Sequence, residues 1–526
     1  MKMKLLYLVV ATLLGSSAFT QVCIDSAVLF APATYNGNAP SIISGRRISN
    51  ANGACLTLNN CHNITISNCI LGGASAPAIV LEGCTNIMII NCLFKDMNNG
   101  VYALNSQGIK VNYNQFQNVH HGNSRGQFVQ FNNVSGAGNE VMYNVGENIP
   151  GNSSPEDLIN MYKSSGTVSS PILIKGNKLR GGGPSGSGGG IMTGDDGGSY
   201  ITVEDNILVD PGQYGIAIAS GTHIKLLSNK VYGRQQSFTN IGLYVWNQYA
   251  AACSTNTVEY NVINFTNNGG TLNPAWDAGN CGPVAGWNNN TWNAPISDTI
   301  LPSRILCPEL TAYYRFNNSW SDGTGNNLTG SAVGPYFQSD CAGISARFTG
   351  ATSQMVSIAR SAGLRPSLQR LSVSCWIKPA NVTGIKGIAR GQDGNGWDNS
   401  WRMILNNDVF NPRITTDQGS AEVYYSGIPD SVWSHVVMTY DGKQLKCYVN
   451  GVLQNTANLT GNILYYPSIQ ESMQLGFANG DYYFNGQMDE FRFYSGDLNA
   501  TEVLALYNLH KDSFECVSLL LTSLSH

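Results

Sequence analysis

The sequence predicts an all-β protein of two units: a parallel β-helix over residues 22–295 and an antiparallel β-sandwich over residues 308–512, joined by a linker at 296–307. Three observations carry that expectation. Only 12% of the residues are charged while 58 are glycine, a composition of strands and turns rather than of helices. An internal repeat, with a 23-residue spacing where it is clearest, runs through the first half, too short a period for any unit that could bury a core alone. Beyond residue 308 long alternating segments are separated by Asp-Gly and Asn-Gly turns, the mark of antiparallel hairpins. At 526 residues, either unit is large enough to hold its own core.

Residues 1–21, MKMKLLYLVVATLLGSSAFTQ, combine two lysines, an apolar run from Leu5 to Leu14 and small residues from Ser16 to Ala18. This is the layout of a cleavable secretory signal, so a secreted or cell-surface protein is expected, extracellular or periplasmic. Cys23 is preceded by Thr20-Gln21-Val22, which lacks the small residues of a lipid-anchored cysteine. No later window reaches about 18 uninterrupted apolar residues, so membrane insertion is not expected. A net charge of −4 gives no footprint for nucleic acid and leaves glycans, proteins and small molecules as partners of a monomer.

The repeat is read by laying CHNITISNCILGG, from Cys61, over CTNIMIINCLFKD, from Cys84. An apolar alternating run followed by Asn recurs, with Asn68, Asn91, Asn114, Asn144, Asn177, Asn206, Asn229 and Asn261 as markers. Asparagines at one corner can bond backbone groups of the next coil. Cys61, Cys69, Cys84 and Cys92 fall in two columns and are expected to be buried stacked thiols. A second strand column precedes the first, and its outward positions change from Thr57, Val80 and Ala103 to Gln130, Asn160, Tyr162, Tyr244 and Trp246. The marker intervals swell to 30, 33 and 29 residues between Asn114 and Asn206. Insertions in a solenoid build the working face, so the site is expected on the middle coils.

The first half resembles the right-handed parallel β-helix proteins, which include pectate lyases, polygalacturonases and related polysaccharide-degrading enzymes. In the second half YYRFNNSWSDGTGNN, ARFTGATSQMVSI, SVSCWIKPA, WSHVVMTYDGKQLKCYVNGV and FNGQMDEFRFYSGDLNATEV occur in order. They are similar to the laminin-G-like members of the concanavalin A-like lectin and glucanase superfamily, which implies a jelly-roll fold and carbohydrate binding. The resemblance further implies a bridge between Cys375 and Cys447, and a calcium site to which Asp322, Asp489 and Glu490 contribute. Local spacing suggests two further bridges, Cys253 with Cys281 and Cys307 with Cys341. Trp376 and Trp433 lie on strands and are read as core.

The middle coils gather an unusual share of the charge. The catalytic candidates are Glu156, Asp157, Lys163, Arg180, Asp195, Asp196 and His121; the substrate-binding candidates are Arg125, Gln130, Asn160, Tyr162, Tyr214, Arg234, Tyr244 and Trp246. Aromatic side chains among them suit sugar rings. A lyase acting on a uronate needs a base and a cation or metal that neutralises the substrate carboxylate. Lys163, Arg180, Arg125 or a histidine would supply the first two, and the four carboxylates would hold calcium. An inverting hydrolase needs two carboxylates about 6.5–9.5 Å apart, available from Glu156 or Asp157 on one coil and Asp195 or Asp196 on the next. The Asp-Asp pair is similar to that of polygalacturonases, yet their Gly-His-Gly and Arg-Ile-Lys segments are missing. The preferred expectation is a polysaccharide lyase, with a glycoside hydrolase and a non-enzymatic adhesin as alternatives. GGGPSGSGGG, residues 181–190 with its flanking glycines, lacks the lysine of a phosphate loop and reads as a turn.

Overall fold

The structure is a computed structural model that describes residues 27–120, 126–365, 370–391, 400–465, 471–478, 480 and 482–515. From Val28 to Trp292 short strands repeat in three columns per coil, and each pairs in parallel with its counterpart one coil away. Alternation puts one set of side chains inside. Val111, Val141, Ile174, Val203, Leu226 and Val258 share one register position on successive coils. All six are fully buried. Each such side chain contributes roughly 1.5–3 kcal/mol, and only because neighbouring coils cover it.

The corner between the second and third columns explains the recurrent asparagine. Its first residue adopts a left-handed conformation at Tyr113, Tyr143, Asp205, Ser228 and Tyr260, which turns the next side chain inward. That next residue is Asn114, Asn144, Asn206, Asn229 and Asn261. With Asn177 they form a buried ladder in which each Nδ2 reaches the Oδ1 of the following coil at 2.8–3.1 Å, ending on Asn290. The same Oδ1 atoms also accept backbone N–H groups of the preceding coil. Two markers are displaced from this ladder. Asn68 and Asn91 are themselves the left-handed corner residues and bond to each other on the surface, while Cys69 and Cys92 take the buried position. Replacing Asn206 by Ala strands partners on both neighbouring coils and is expected to cost about 3 kcal/mol or more, read as a lower urea midpoint with unchanged slope.

On the first column, the outward register runs Thr57, Val80, Tyr102, Gln130, Asn160 and Met192. Tyr102 therefore replaces the expected Ala103, which is fully buried in the core.

The second unit is an antiparallel sandwich of two eight-stranded sheets. Their inner faces share a core that includes Phe348, Ile377, Trp401, Met438 and Phe491. Trp376 and Trp433 are buried as expected, packing with Phe514 of a terminal helix, Ala500–Phe514. That helix begins with a capping box, Asn499 bonding the Glu502 N–H and Glu502 returning the bond. The linker and the first strand of the sandwich lie against the third column: the Cys307 N–H donates to Gln115 Oε1 at 2.6 Å, and Lys95 Nζ meets Glu309 Oε2 at 2.5 Å.

Cysteine chemistry divides as the columns suggest. Cys61, Cys69, Cys84 and Cys92 are buried free thiols. Cys253 and Cys281 are joined, and Cys307 and Cys341 are disulfide-bonded. The bridge between Cys375 and Cys447 is absent. Cys375 pairs with Val436 and Cys447 with Met438, so the strand Ser434–Tyr440 lies between them and holds the thiols too far apart to bond.

Candidate functional site

Asp195 owes its place to one extra residue. Asn160 pairs with Met192 and Tyr162 with Asp195, so Thr193 and Gly194 together oppose Met161 in a β-bulge. Without the bulge, strict alternation from the outward Met192 would turn Asp195 into the core. Gly194 has a φ of 63°, and a Cβ there would collide with the Ser220 carbonyl oxygen. The next residue, Asp196, is at the corner with a φ of 56° and points another way.

The two aspartates consequently do different things. Asp196 Oδ2 pairs with Lys163 Nζ at 2.8 Å and accepts from Tyr162 OH at 3.2 Å. That contact holds the Asp196 carboxyl below its ordinary range and the Lys163 ammonium above its own. Asp195 opens instead into a cleft of about 690 Å³, together with Glu156, Asp157, Tyr244, Trp246, Tyr249 and Trp276. Lys163, Tyr162 and Asp196 do not line that cleft.

Asp157 and Asp195 are joined through one amide. Asn160 Nδ2 donates to Asp157 Oδ2 and to Asp195 Oδ2, 2.9 Å each, so these oxygens are no more than about 6 Å apart. This is nearer the spacing of a retaining pair, about 5–5.5 Å, than the inverting range of about 6.5–9.5 Å expected from the sequence. Asn160 Oδ1 is buried without a hydrogen-bond partner among the described residues, which shows what orients the amide: the reverse rotamer would face its oxygen to two carboxylates. Asp195 also accepts from Tyr249 OH at 2.5 Å.

Asp157 is set deeper. Its Oδ1 accepts from Tyr214 OH and from the Gly189 N–H at 3.0 Å. Burial pushes this carboxyl up to about 6; the hydrogen bonds from Tyr214, Asn160 and Gly189 oppose the rise and the charge of Glu156 adds to it. Glu156 is held by Ser185 Oγ at 2.8 Å and Ser187 Oγ at 2.6 Å. The glycine-rich turn is thus one wall of the cleft, and Gly188–Gly190 approach the backbone of neighbouring coils so closely that a Cβ would clash.

Other expected residues fall elsewhere. Tyr214 is 1% exposed and lies beneath the floor, so it orients Asp157 rather than stacking on a sugar. Gln130 is on an earlier coil, where Asn99 Nδ2 reaches its Oε1 at 3.4 Å. Arg180 is drawn to the linker, bonding Glu147 at 2.9 Å, Ser303 O at 3.0 Å and Pro302 O at 2.5 Å. Arg234 pairs with Asp210 at 3.1 Å. Neither arginine lines the cleft. His121 and Arg125 lie outside the described residues. Tyr249, Trp276, Ser185 and Ser187 were not anticipated; the Ala275–Asp277 strand continues the column of Ile241–Val245, and that register is the signal for Trp276.

The calcium expectation for the sandwich meets three separate environments. Asp322 caps a loop, accepting from the N–H groups of Tyr313, Thr324 and Asn326. Glu490 bonds Arg492 at 2.6 Å, His510 at 3.1 Å and Tyr313 OH. Asp489 is buried, with Oδ1 accepting from the Glu490 N–H. Among the described residues no group of three or more His, Cys, Asp or Glu side chains could hold a metal.

Comparison with known proteins matches a part of each unit separately. Residues 33–182 match the right-handed β-helix region family, and residues 350–504 match the concanavalin A-like lectin/glucanases superfamily. No curated protein matches the sequence. Solved structures similar to part of the chain include the binding domain of Paraclostridial Mosquitocidal Protein 1, at 17% identity over 36% of this chain and 49% of that one, TM-score 0.31. The binding domain of botulinum neurotoxin serotype G is similar at 13% identity over 38% and 51%, TM-score 0.32. The match thus spans about half the length of each toxin domain. Domain 4 of AbnA, a GH43 extracellular arabinanase from Geobacillus stearothermophilus in complex with arabinotriose, is similar at 26% identity over 38% and 98%, TM-score 0.29. The chain is an all-β protein in which a parallel β-helix, matched over residues 33–182 by the right-handed β-helix region family, is followed by an antiparallel sandwich, matched over residues 350–504 by the concanavalin A-like lectin/glucanases superfamily.

Proposed function

We propose that this carbohydrate-related protein is a secreted glycoside hydrolase whose acid and nucleophile are Asp157 and Asp195, with the sandwich holding the enzyme on glycan. The observation that carries this reading is the pair of carboxylates bridged by Asn160 in an aromatic cleft. Asp157, protonated below about pH 6, gives its proton to the leaving glycosidic oxygen as the Asp195 carboxylate attacks the anomeric carbon. Water then cleaves the glycosyl ester, releasing Asp195, and the Asp157 carboxylate takes up the proton. Tyr249 and Asn160 hold Asp195 in place, and the bond from Tyr214 fixes Asp157.

The lyase expected from the sequence has less support. Of its expected cations, Lys163 and Arg180 are committed to Asp196 and Glu147 away from the cleft, where they do not reach a substrate carboxylate, while Arg125 and His121 lie outside the described residues. Export fits the Cys253–Cys281 bridge, since such bonds persist in oxidising compartments. No helix among the described residues is long and apolar enough to cross a membrane. The test is incubation with a panel of uncharged and uronate-containing polysaccharides, following reducing ends and the absorbance of unsaturated products. Reducing ends without absorbance are expected; absorbance would restore the lyase, and silence across the panel would favour the adhesin.

A further inference from the structure

The outward register that reaches Asn160 continues through Met192 in one series, and Ala217, Tyr244 and Trp276 share a second on the following coils. Met192 pairs with Ala217, so the two series are one column from the carboxylates to Trp276. With coils about 4.8 Å apart, four steps separate Asn160 from Trp276 by about 19 Å. Trp246, on the last residue beyond the strand carrying Tyr244, joins Trp276 with ring centroids 5.8 Å apart. These rings are 42% and 47% exposed, whereas Trp376, Trp401 and Trp433 are buried. Two large, adjacent apolar rings left open at the end of a cleft require an occupant with flat apolar faces. The cleft wall beside them is polar but uncharged, with Asn240, Asn273 and Gln248.

Charge narrows the occupant further. The described lining contains Glu156, Asp157 and Asp195, and no Lys, Arg or His. Glu156 accepts from the hydroxyls of Ser185 and Ser187, and the described lining offers it no cation. A polymer bearing a carboxylate or sulfate on each unit would bring like charge against this surface without a compensating ion pair.

We infer that the cleft takes an uncharged polysaccharide laid along the helix axis, with the Trp246–Trp276 pair binding sugar units remote from the bond that is cleaved. This rests on the hydrolase reading for where cleavage occurs, but the binding it describes does not require turnover. Remote contacts raise the yield of long substrates over short ones because their binding energy is available only when the chain reaches them. Stacking a sugar face on an exposed aromatic ring also requires no ordered side chain beyond the ring itself.

The test compares uncharged oligosaccharides of three and six units, drawn from the polymers that the protein cleaves or, if none is cleaved, from those it retains. In wild type, kcat/KM is expected to rise at least tenfold from three to six units, and in Trp276→Ala that advantage is expected to collapse. A second measurement is free of turnover: titration of Asp195→Asn with the six-unit oligosaccharide, against the double variant with Trp276→Ala. At least tenfold weaker binding in the double variant is expected. Weaker binding with no hydrolysis by wild type would sustain the platform while overturning the hydrolase. Hydrolysis with the same chain-length advantage in Trp276→Ala would overturn the platform alone. Tighter binding of a uronate oligomer than of any uncharged one, lost with Trp276→Ala, would overturn the substrate class.

Discussion

Replacing Asp195 by Asn is expected to lower kcat/KM on the cleaved polysaccharide by about 10²- to 10⁴-fold, and replacing Asp157 by Asn to do so by a comparable factor. Each is isosteric with the acid it replaces, and the Asp195 amide keeps a partner in Tyr249. Thermal unfolding near that of wild type would separate lost chemistry from lost fold. The pH profile distinguishes the two roles. The Asp157 carboxyl, raised to about 6 by burial, is proton-loaded below that value, so wild-type kcat/KM should fall as pH rises through about 6. Asp157→Asn should lose that descending limb with its activity. A substrate with a good leaving group, which needs no proton, should recover the first step in Asp157→Asn and not in Asp195→Asn. Asp196→Asn supplies the contrast: it breaks the pair with Lys163 on the corner and should change kcat/KM less than about threefold. Equal losses at positions 195 and 196 would sink the assignment, because the bulge at Gly194 is what separates them.

That bulge marks the limit of what the sequence discloses. The coils were legible because Val111 to Val258 repeat at intervals that only stacking can bury, and the sandwich because Asp-Gly and Asn-Gly set its hairpins. The swollen middle intervals pointed to the coils that carry Glu156, Asp157 and Asp195, and the cleft runs from those coils onto the ones beyond. The side-chain directions were not legible. A single unpaired residue, Gly194, reverses alternation and brings Asp195 out; a left-handed corner at the marker itself, rather than one residue before it, puts Cys92 where Asn91 was expected. Arg180 counts as a cation in any list of residues, but its partner is backbone from the linker more than 120 residues on. Trp276 has no local motif; only its pairing with Tyr244 brings it to the cleft. The terminal helix carried a readable cap in Asn499 and Glu502, hidden by the strand-rich context before it.

A second large effect is expected in the sandwich, where urea stability should decline between about pH 6.5 and 8 and Asp489→Asn should remove much of the decline. Burial and the adjacent Glu490 push the Asp489 carboxyl up to about 8. Unfolded, it titrates near 3.9. The folded state therefore holds a proton that the unfolded state has lost, and the stability this confers is full below pH 4 and is lost as pH rises to 8. Four pH units would correspond to at most about 5 kcal/mol. His435 works in the opposite sense: burial, with the charges of Arg492 and His510, lowers it to about 3, so the unfolded imidazole takes up a proton first and stability falls as pH drops below about 6.5. Burial alone would raise Glu490, but the bond from His510 and the charge of Arg492 hold it near 2, adding a loss below its unfolded value. Between about pH 4 and 6.5 the Asp489 and His435 slopes oppose, so the stability of this unit should be nearly flat there, and above that range only Asp489 is left among these three groups. The urea midpoints of Asp489→Asn and wild type should accordingly diverge from pH 4 to 8 and run parallel beyond it. A constant gap across that window would mean that Asp489 is ionised in the folded protein, and its burial would then have to be matched by a counter-charge other than Arg492.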